Sequence, residues 1–163
     1  MGRTPRLTAG LPKNTPIQER HLPPLDPRRV IVYYLAMTLI LSDRFDENRP
    51  IYLQIVEKVK RAIIRGDLKP GDRLPSVREL AIMLRVNPNT VQRAYQELER
   101  EGLTFTRRGQ GNFVTQDPAV VEELREKMRR ELVRRVIQEA SEINMSVDEL
   151  IKTLEEIRNE QAS

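Results

Sequence analysis

Ser76-Val-Arg-Glu-Leu-Ala-Ile-Met-Leu-Arg-Val-Asn-Pro-Asn-Thr-Val-Gln-Arg-Ala-Tyr-Gln-Glu-Leu98 decides the fold. Ser76 and Glu79 stand at capping-box spacing, so the hydroxyl satisfies one orphan amide of a helix start and the carboxylate reaches back to another. Val77, Leu80, Ala81 and Leu84 then predict a helix of about two turns with one apolar face. Arg85-Val86 turns the chain. Asn87-Pro88 opens a second helix, with the Asn side chain as N-cap and proline in the first turn, where its missing N–H costs nothing. Val91, Ala94, Tyr95 and Leu98 form the inner face of that helix, and Gly102 ends it. Two short helices joined by a tight turn is the helix-turn-helix pattern, whose second helix enters a DNA major groove.

The outward face of the second helix carries Asn89, Thr90, Gln92, Arg93 and Gln96. These are hydrogen-bonding side chains rather than the Glu/Lys mixture of an ordinary solvated face; Glu97, Glu99 and Glu101 cluster after them. Asn and Gln can bond adenine in two places, Arg can do so with guanine, and Thr can meet a phosphate or a thymine methyl. The competing reading is a plain polar surface helix. Next, Leu103-Thr-Phe-Thr-Arg-Arg-Gly-Gln-Gly-Asn-Phe-Val-Thr115 alternates, turns on two glycines and returns apolar, which predicts a β-hairpin with Arg107 and Arg108 at its tip. Directly after a helix-turn-helix such a hairpin is a wing, and arginine at its tip suits the DNA backbone or a narrow minor groove. Gly109-Gln-Gly111 is no nucleotide-binding loop: it lacks a third glycine, a following helix and a phosphate-loop lysine.

Upstream, Ile51, Ile55, Val59, Ala62 and Ile63 recur at helical spacing after Pro50, which the pattern puts in the first turn, and Gly66 closes the helix as a left-handed cap. Asp67-Leu-Lys-Pro-Gly-Asp-Arg-Leu-Pro75 is a connection with a Pro-Gly turn and two leucines of buried type. Further upstream the composition changes. Pro5, Pro12, Pro16, Pro23, Pro24 and Pro27 predict a disordered or extended tail. The apolar run Val30–Leu41 is too short to span a membrane and lacks a cleavage site for a signal peptide. It reads either as a β-branched strand or, for residues 1–36, as untranslated sequence upstream of a start at Met37.

Downstream, Val121, Leu124, Met128, Leu132, Val136 and Ala140 step by three or four from Asp117-Pro118, which predicts a helix of about six turns with one apolar stripe. Ser146-Val-Asp-Glu149 is a second capping box, opening a helix with Val147, Leu150, Ile151, Leu154 and Ile157 inward. Across Ile143-Asn-Met145 the two form a helical hairpin. Its stripes exceed what one hairpin can bury, so it needs a partner; the alternative is docking on the chain's own winged helix.

Composition sets the outer bounds. The 163 residues carry a formal net charge of +4, no cysteine and a single histidine, His21, within the proline-rich stretch. Disulfides, thiol nucleophiles and cysteine-based metal sites are excluded, and a histidine-based metal site or triad has no partners. No catalytic constellation gathers in one place, so the expectation is a protein that is not an enzyme and needs no cofactor or metal. The charge is uneven: residues 1–36 and 37–115 are each net +4, and residues 116–163 net −4. A basic reading head and an acidic tail follow from that distribution more than from the total.

Pro50-Ile-Tyr-Leu-Gln-Ile55, Gly66 to Ala81, Val86 to Leu98 and Arg108-Gly-Gln-Gly-Asn-Phe-Val114 together resemble the winged helix-turn-helix of GntR-family bacterial transcription regulators. The short segment after it is similar to the YtrA-like subgroup, since 116–163 leaves no room for the large effector domains of other members. The resemblance implies a phosphate-contacting Arg78, base-reading or backbone-contacting Asn87, Asn89, Thr90, Gln92 and Arg93, and wing contacts at Arg108 and Gly109. Pro88 and Gln92 depart from the basic residues of several relatives, so no operator sequence carries over. It further implies dimerisation through 116–163, with Leu124, Met128, Leu132, Val136, Leu150 and Leu154 at the interface.

The expected fold is therefore mainly α with a small β-hairpin: a tail (1–36), a winged helix-turn-helix (37–115) and a two-helix dimerisation hairpin (116–163). The expected function is that of a cytoplasmic, homodimeric regulator, a repressor that binds a pseudo-palindromic operator in double-stranded DNA without touching a membrane. The subgroup resemblance points to a transporter-type operon. Two rivals stand beside it: an architectural or RNA-binding winged helix without an operator, and a protein-interaction module with an inert wing. A small-molecule effector, unidentified, has room only at the dimer interface or between hairpin and winged helix; a switch without ligand fits equally.

Overall fold

The computed structural model describes residue 41 and residues 44–162. Its elements follow the order α1 (Ile51–Arg65), α2 (Val77–Leu84), α3 (Pro88–Arg100), β1 (Thr104–Arg107), β2 (Gly111–Val114), α4 (Pro118–Glu142) and α5 (Val147–Gln161). This is the mainly helical winged-helix arrangement that the sequence predicts. The tail at 1–36 and the proposed start at Met37 lie outside the described residues. Leu41, the last residue of the apolar run, stands in helical backbone rather than in a strand and is fully buried in the core.

Pro50 is not the first helical residue but the N-cap of α1: its ψ of 125° is extended, and its carbonyl accepts the first turn's amides from Leu53 and Gln54. Ile51 is correspondingly outside the packed face, 38% exposed, whereas Ile55, Val59, Ala62 and Ile63 are buried as predicted. The buried polar member of that face is Gln54. Its Nε2 donates to the carbonyls of Asp46 (2.8 Å) and Arg49 (2.9 Å), and its Oε1 accepts from the Asp46 amide (2.8 Å). One side chain thus clamps the segment leading into α1 and leaves none of its own groups orphaned. Gly66 closes the helix in the left-handed region (φ 80°).

The core is aliphatic. Ile55, Val59, Leu68, Leu74, Leu80, Val91, Leu98, Leu103 and Val114 are almost wholly buried, and each large side chain contributes about 1.5–3 kcal/mol by leaving water. α1 packs mainly on α3, α2 packs on α3, and the start of α4 returns to α1. The connection before α2 is sewn to the hairpin: the Leu74 amide donates to the Asn112 carbonyl at 2.8 Å and Arg73 pairs with Phe113. Inside the helix-turn-helix, the buried Tyr95 hydroxyl donates to the Pro75 carbonyl at 2.7 Å, tying α3 to the residue before the α2 cap.

The C-terminal helices are where expectation and structure part. Asp117 caps α4 by accepting from the Ala119 amide (2.9 Å), and Val120, Val121, Leu124 and Met128 pack against the winged-helix core. The first turns therefore do dock on the chain's own domain. Beyond Met128 they do not: Leu132 is 57% exposed, and Val133 and Ile137 are also exposed. α5 begins at the predicted Ser146–Glu149 capping box, but Val147, Ile151, Leu154 (54% exposed) and Ile157 do not turn inward, and α5 buries no residue at all. The reason is geometric. α5 meets α4 only near the turn that joins them, where Ala140 is buried and Val136 and Leu150 are half-buried, while Leu132, Val133 and Ile137 stay exposed.

Candidate nucleic-acid interface

The two helix starts of the helix-turn-helix are built from their own side chains. At α2, the Glu79 amide donates to Ser76 Oγ (3.2 Å) and the Ser76 amide to Glu79 Oε2 (2.7 Å), completing the capping box. The turn between helices passes through Arg85 in the left-handed region (φ 55°), and its amide returns to the Ala81 and Ile82 carbonyls. At α3, Asn87 Oδ1 accepts from the Asn89 amide at 2.8 Å and Pro88 occupies the first turn. Asn87, which the resemblance makes a DNA contact, therefore has its side-chain oxygen engaged in the cap; its amide nitrogen is the atom that can turn outward.

Val91, Ala94, Tyr95 and Leu98 are buried, while Asn89, Gln92, Arg93 and Gln96 are exposed along one side of α3 and Thr90 is half-buried. The outward set predicted from the sequence is thus brought together on one face. Arg78 is exposed on α2. Arg93 is not a loose cation, however. Its guanidinium lies over the ring of Tyr52, from the first turn of α1, at 3.9 Å from the centroid.

The glutamates that cluster at the end of α3 are each paired. Glu97 pairs with Arg100. Glu99 Oε1 accepts from the Thr106 amide of β1 at 3.1 Å, joining α3 to the wing. Glu101 meets Lys60 of α1 at 2.6 Å, with side chains only 24% and 15% exposed. α3 is therefore held against both α1 and the hairpin from its C-terminal end.

In the wing, Thr104 to Arg107 pair antiparallel with Val114 to Gly111, and Thr106 Oγ1 bonds Asn112 Oδ1 across the strands at 2.7 Å. Arg108-Gly109-Gln110 is the turn, with Gly109 at φ 74°, where a side chain would strain the backbone. Arg108 and Gly109 are exposed at the tip as predicted. Arg107 is not at the tip: it closes the ladder opposite Gly111, and its guanidinium sits 5.3 Å from the centroids of both Phe105 and Phe113. Those rings stack on each other at 5.8 Å.

Tyr52, Phe105 and Phe113 are the site-forming residues that the pattern did not single out. The available signal was an aromatic set among residues otherwise poor in them. An open cleft between residues 44–49 and α1 is lined by Arg44, Arg49, Gln54, Glu57, Lys58, Arg61 and Arg65, with Arg49 paired to Glu57. Among the described residues no helix is long and apolar enough to cross a membrane.

Residues 51–114 match the family described as "Bacterial regulatory proteins, gntR family". The chain is 42% identical over 112 residues to the HTH-type transcriptional regulator YhcF of Bacillus subtilis, covering 69% of this chain and 93% of that one. It is 40% identical over 111 residues to the HTH-type transcriptional repressor YtrA of the same organism, covering 68% and 85%. Among solved structures, a GntR family transcriptional regulator from Listeria monocytogenes superposes with a TM-score of 0.65 at 39% identity, covering 69% of this chain and 98% of that one.

Proposed function

The chain belongs to the GntR family of bacterial transcription regulators, a DNA-binding regulator and not an enzyme, and from that premise we propose that it is a homodimeric repressor of a pseudo-palindromic operator. The observation that carries the reading is the outward face of α3: Asn89, Gln92, Arg93 and Gln96 exposed together over a fully buried inner face. In this reading α3 enters the major groove with Asn87, Asn89, Thr90, Gln92, Arg93 and Gln96 facing DNA. Arg78 holds a phosphate, and Arg108 with Gly109 meets the flanking backbone while Arg107 backs them from its aromatic seat. Residues 37–115 are the reading head and 116–163 the dimerisation segment.

The exposed apolar residues support the dimer. Leu132, Val133 and Ile137 on α4 and Val147, Ile151, Leu154 and Ile157 on α5 are exposed among the described residues, and apolar exposure gathered on two neighbouring helices marks an interaction surface. Of the residues expected at the interface, Leu124 is buried and Met128 half-buried against the chain's own core, Val136 and Leu150 are half-buried and Leu132 and Leu154 exposed, so in this reading the last four carry most of that role. Two heads related by a two-fold axis read half-sites about one helical turn apart. Repression draws on the printed name of the YtrA relative; a transporter-type target operon rests on the subgroup resemblance alone.

The test is selection of duplexes from a random-sequence pool by the full chain, followed by footprinting of the recovered motif upstream of its own gene. The selected palindrome is expected to bind at least ~10³-fold more tightly than random duplex. Equal affinity for both, or a preference for RNA, overturns the operator reading in favour of an architectural or RNA-binding role.

A further inference from the structure

We propose that Tyr52 is a positioning residue for DNA readout, its ring lying under the Arg93 guanidinium at the surface of the recognition helix. This rests on the reading of α3 as the DNA-contacting helix and adds to it a residue from outside the helix-turn-helix.

The geometry is specific. Tyr52 lies in the first turn of α1 and is half-buried; Arg93 lies in the second turn of α3 and is exposed. At 3.9 Å from ring centroid to guanidinium carbon, the two are well inside cation–π range. A guanidinium stacked by its face keeps its N–H donors in the plane, pointing away from the ring edge. Stacking therefore costs Arg93 none of its capacity for two parallel bonds to a phosphate or to a guanine edge. What it removes is freedom, because an exposed arginine otherwise samples many rotamers.

Residues 89, 92, 93 and 96 share one helical face, so fixing Arg93 also fixes where its charge stands relative to Asn89 and Gln96. The platform beneath the ring is itself anchored. Tyr52 is placed by the N-terminal turn of α1, which Gln54 clamps to the preceding segment through three hydrogen bonds. At the far end α1 is tied to α3 through Lys60 and Glu101. The ring is thus presented from a clamped helix start, on a helix packed along α3 and tied to its C-terminal end.

Ordering one arginine in advance of binding is expected to raise operator affinity about three- to tenfold. The experiment uses the full chain and the duplex it selects from a random pool, with a scrambled duplex as control. Binding is followed by fluorescence anisotropy for Tyr52→Leu, Tyr52→Phe, Arg93→Ala and the Tyr52→Leu/Arg93→Ala pair. The expected pattern is a loss of about three- to tenfold for Tyr52→Leu, near-full rescue in Tyr52→Phe, and no further loss when Tyr52→Leu is added to Arg93→Ala. Thermal melts keep a folding defect separate.

Losses that multiply in the double variant overturn the proposal, since Tyr52 then acts independently of Arg93. So does a Tyr52→Leu protein that binds as tightly as the parent while Arg93→Ala is impaired. If Arg93→Ala itself leaves binding unchanged, the assignment of Arg93 to the DNA face fails, and with it the positioning role. That result is distinct from the first two, in which the face survives and only Tyr52 is removed from it.

Discussion

Tyr95→Phe tests the internal bracing of the reading head. The Tyr95 hydroxyl is buried and donates at 2.7 Å to the carbonyl of Pro75, itself among the fully buried residues. The substitution keeps the ring, so no large cavity opens; it deletes one donor and leaves a buried carbonyl without it. A neutral hydrogen bond is worth about 0.5–1.5 kcal/mol net, and an orphaned buried acceptor costs about 1–3 kcal/mol. Part of that is offset because the hydroxyl no longer has to leave water. The expected loss is therefore ~1.5 kcal/mol, read in urea as a lower midpoint at unchanged m-value, or as a fall in Tm of about 3–6 °C for a chain of this length. Tyr95→Ala, which also empties the ring's volume, should cost about 3–5 kcal/mol. Operator affinity of Tyr95→Phe at 25 °C should stay within about twofold of the parent, because Tyr95 faces away from the outward side of α3. A stability change below about 0.3 kcal/mol would falsify the bracing role, and a large affinity loss at intact stability would mean that Tyr95 resets the recognition helix.

Arg78→Ala should weaken binding to the selected and the random duplex alike and lower the slope of log affinity against log salt by about 1, with the dimer intact by light scattering; unchanged salt dependence removes Arg78 from the backbone contacts. Leu132→Glu combined with Leu154→Glu should convert a dimer to a monomer in sedimentation velocity and abolish tight operator binding, and a persisting dimer refutes the C-terminal interface. Acid should loosen α5. The Ser146 backbone amide, and then its hydroxyl, holds the Glu149 carboxyl below the ordinary carboxylate range. A depressed folded-state value means that the cap's contribution is complete above the unfolded value near ~4.3 and is lost as pH falls through the folded one. Ser146→Ala should shrink, and Glu149→Gln remove, the part of the acid loss of helical circular dichroism that follows Glu149, since only the second abolishes the bond to the Ser146 backbone amide; an identical acid transition in all three proteins counts against the cap.

What could be read from the sequence was whatever is decided within a few residues. Ser76 with Glu79, Ser146 with Glu149, and Asn87 with Pro88 each carry their own partner in the next turn, and all three helix starts stand where the spacing puts them. The buried face of α3 was legible because period 3.6 repeats over enough turns to separate inside from outside. Pro50 was misplaced by one residue because N-cap and first turn differ only in ψ, which proline does not restrict. The seats of Arg93 and Arg107 could not be read at all. Each depends on an aromatic ring brought from another element, Tyr52 from α1 and Phe113 from the opposite strand. The same holds for Glu99 and Glu101, whose partners Thr106 and Lys60 lie across the fold. For α5, an apolar stripe tells that a face needs covering but not by which chain.

The unbroken course of α4 has a mechanical meaning. Its first turns are seated on the reading head through Val121, Leu124 and Met128, and its last turns carry exposed Leu132, Val133 and Ile137. In the proposed dimer, one 25-residue rod, about 37 Å long at 1.5 Å per residue, acts as a transmission shaft between head and interface. A shaft transmits rotation as well as distance. One residue inserted between Met128 and Leu132 turns everything beyond it by about 100° and lengthens it by only ~1.5 Å, whereas four residues bring the phase back to within about 40° at the cost of ~6 Å. Phase rather than length then governs which operators remain accessible, so insertions should alternate between tolerated and inactive with the period of the helix instead of declining steadily with size.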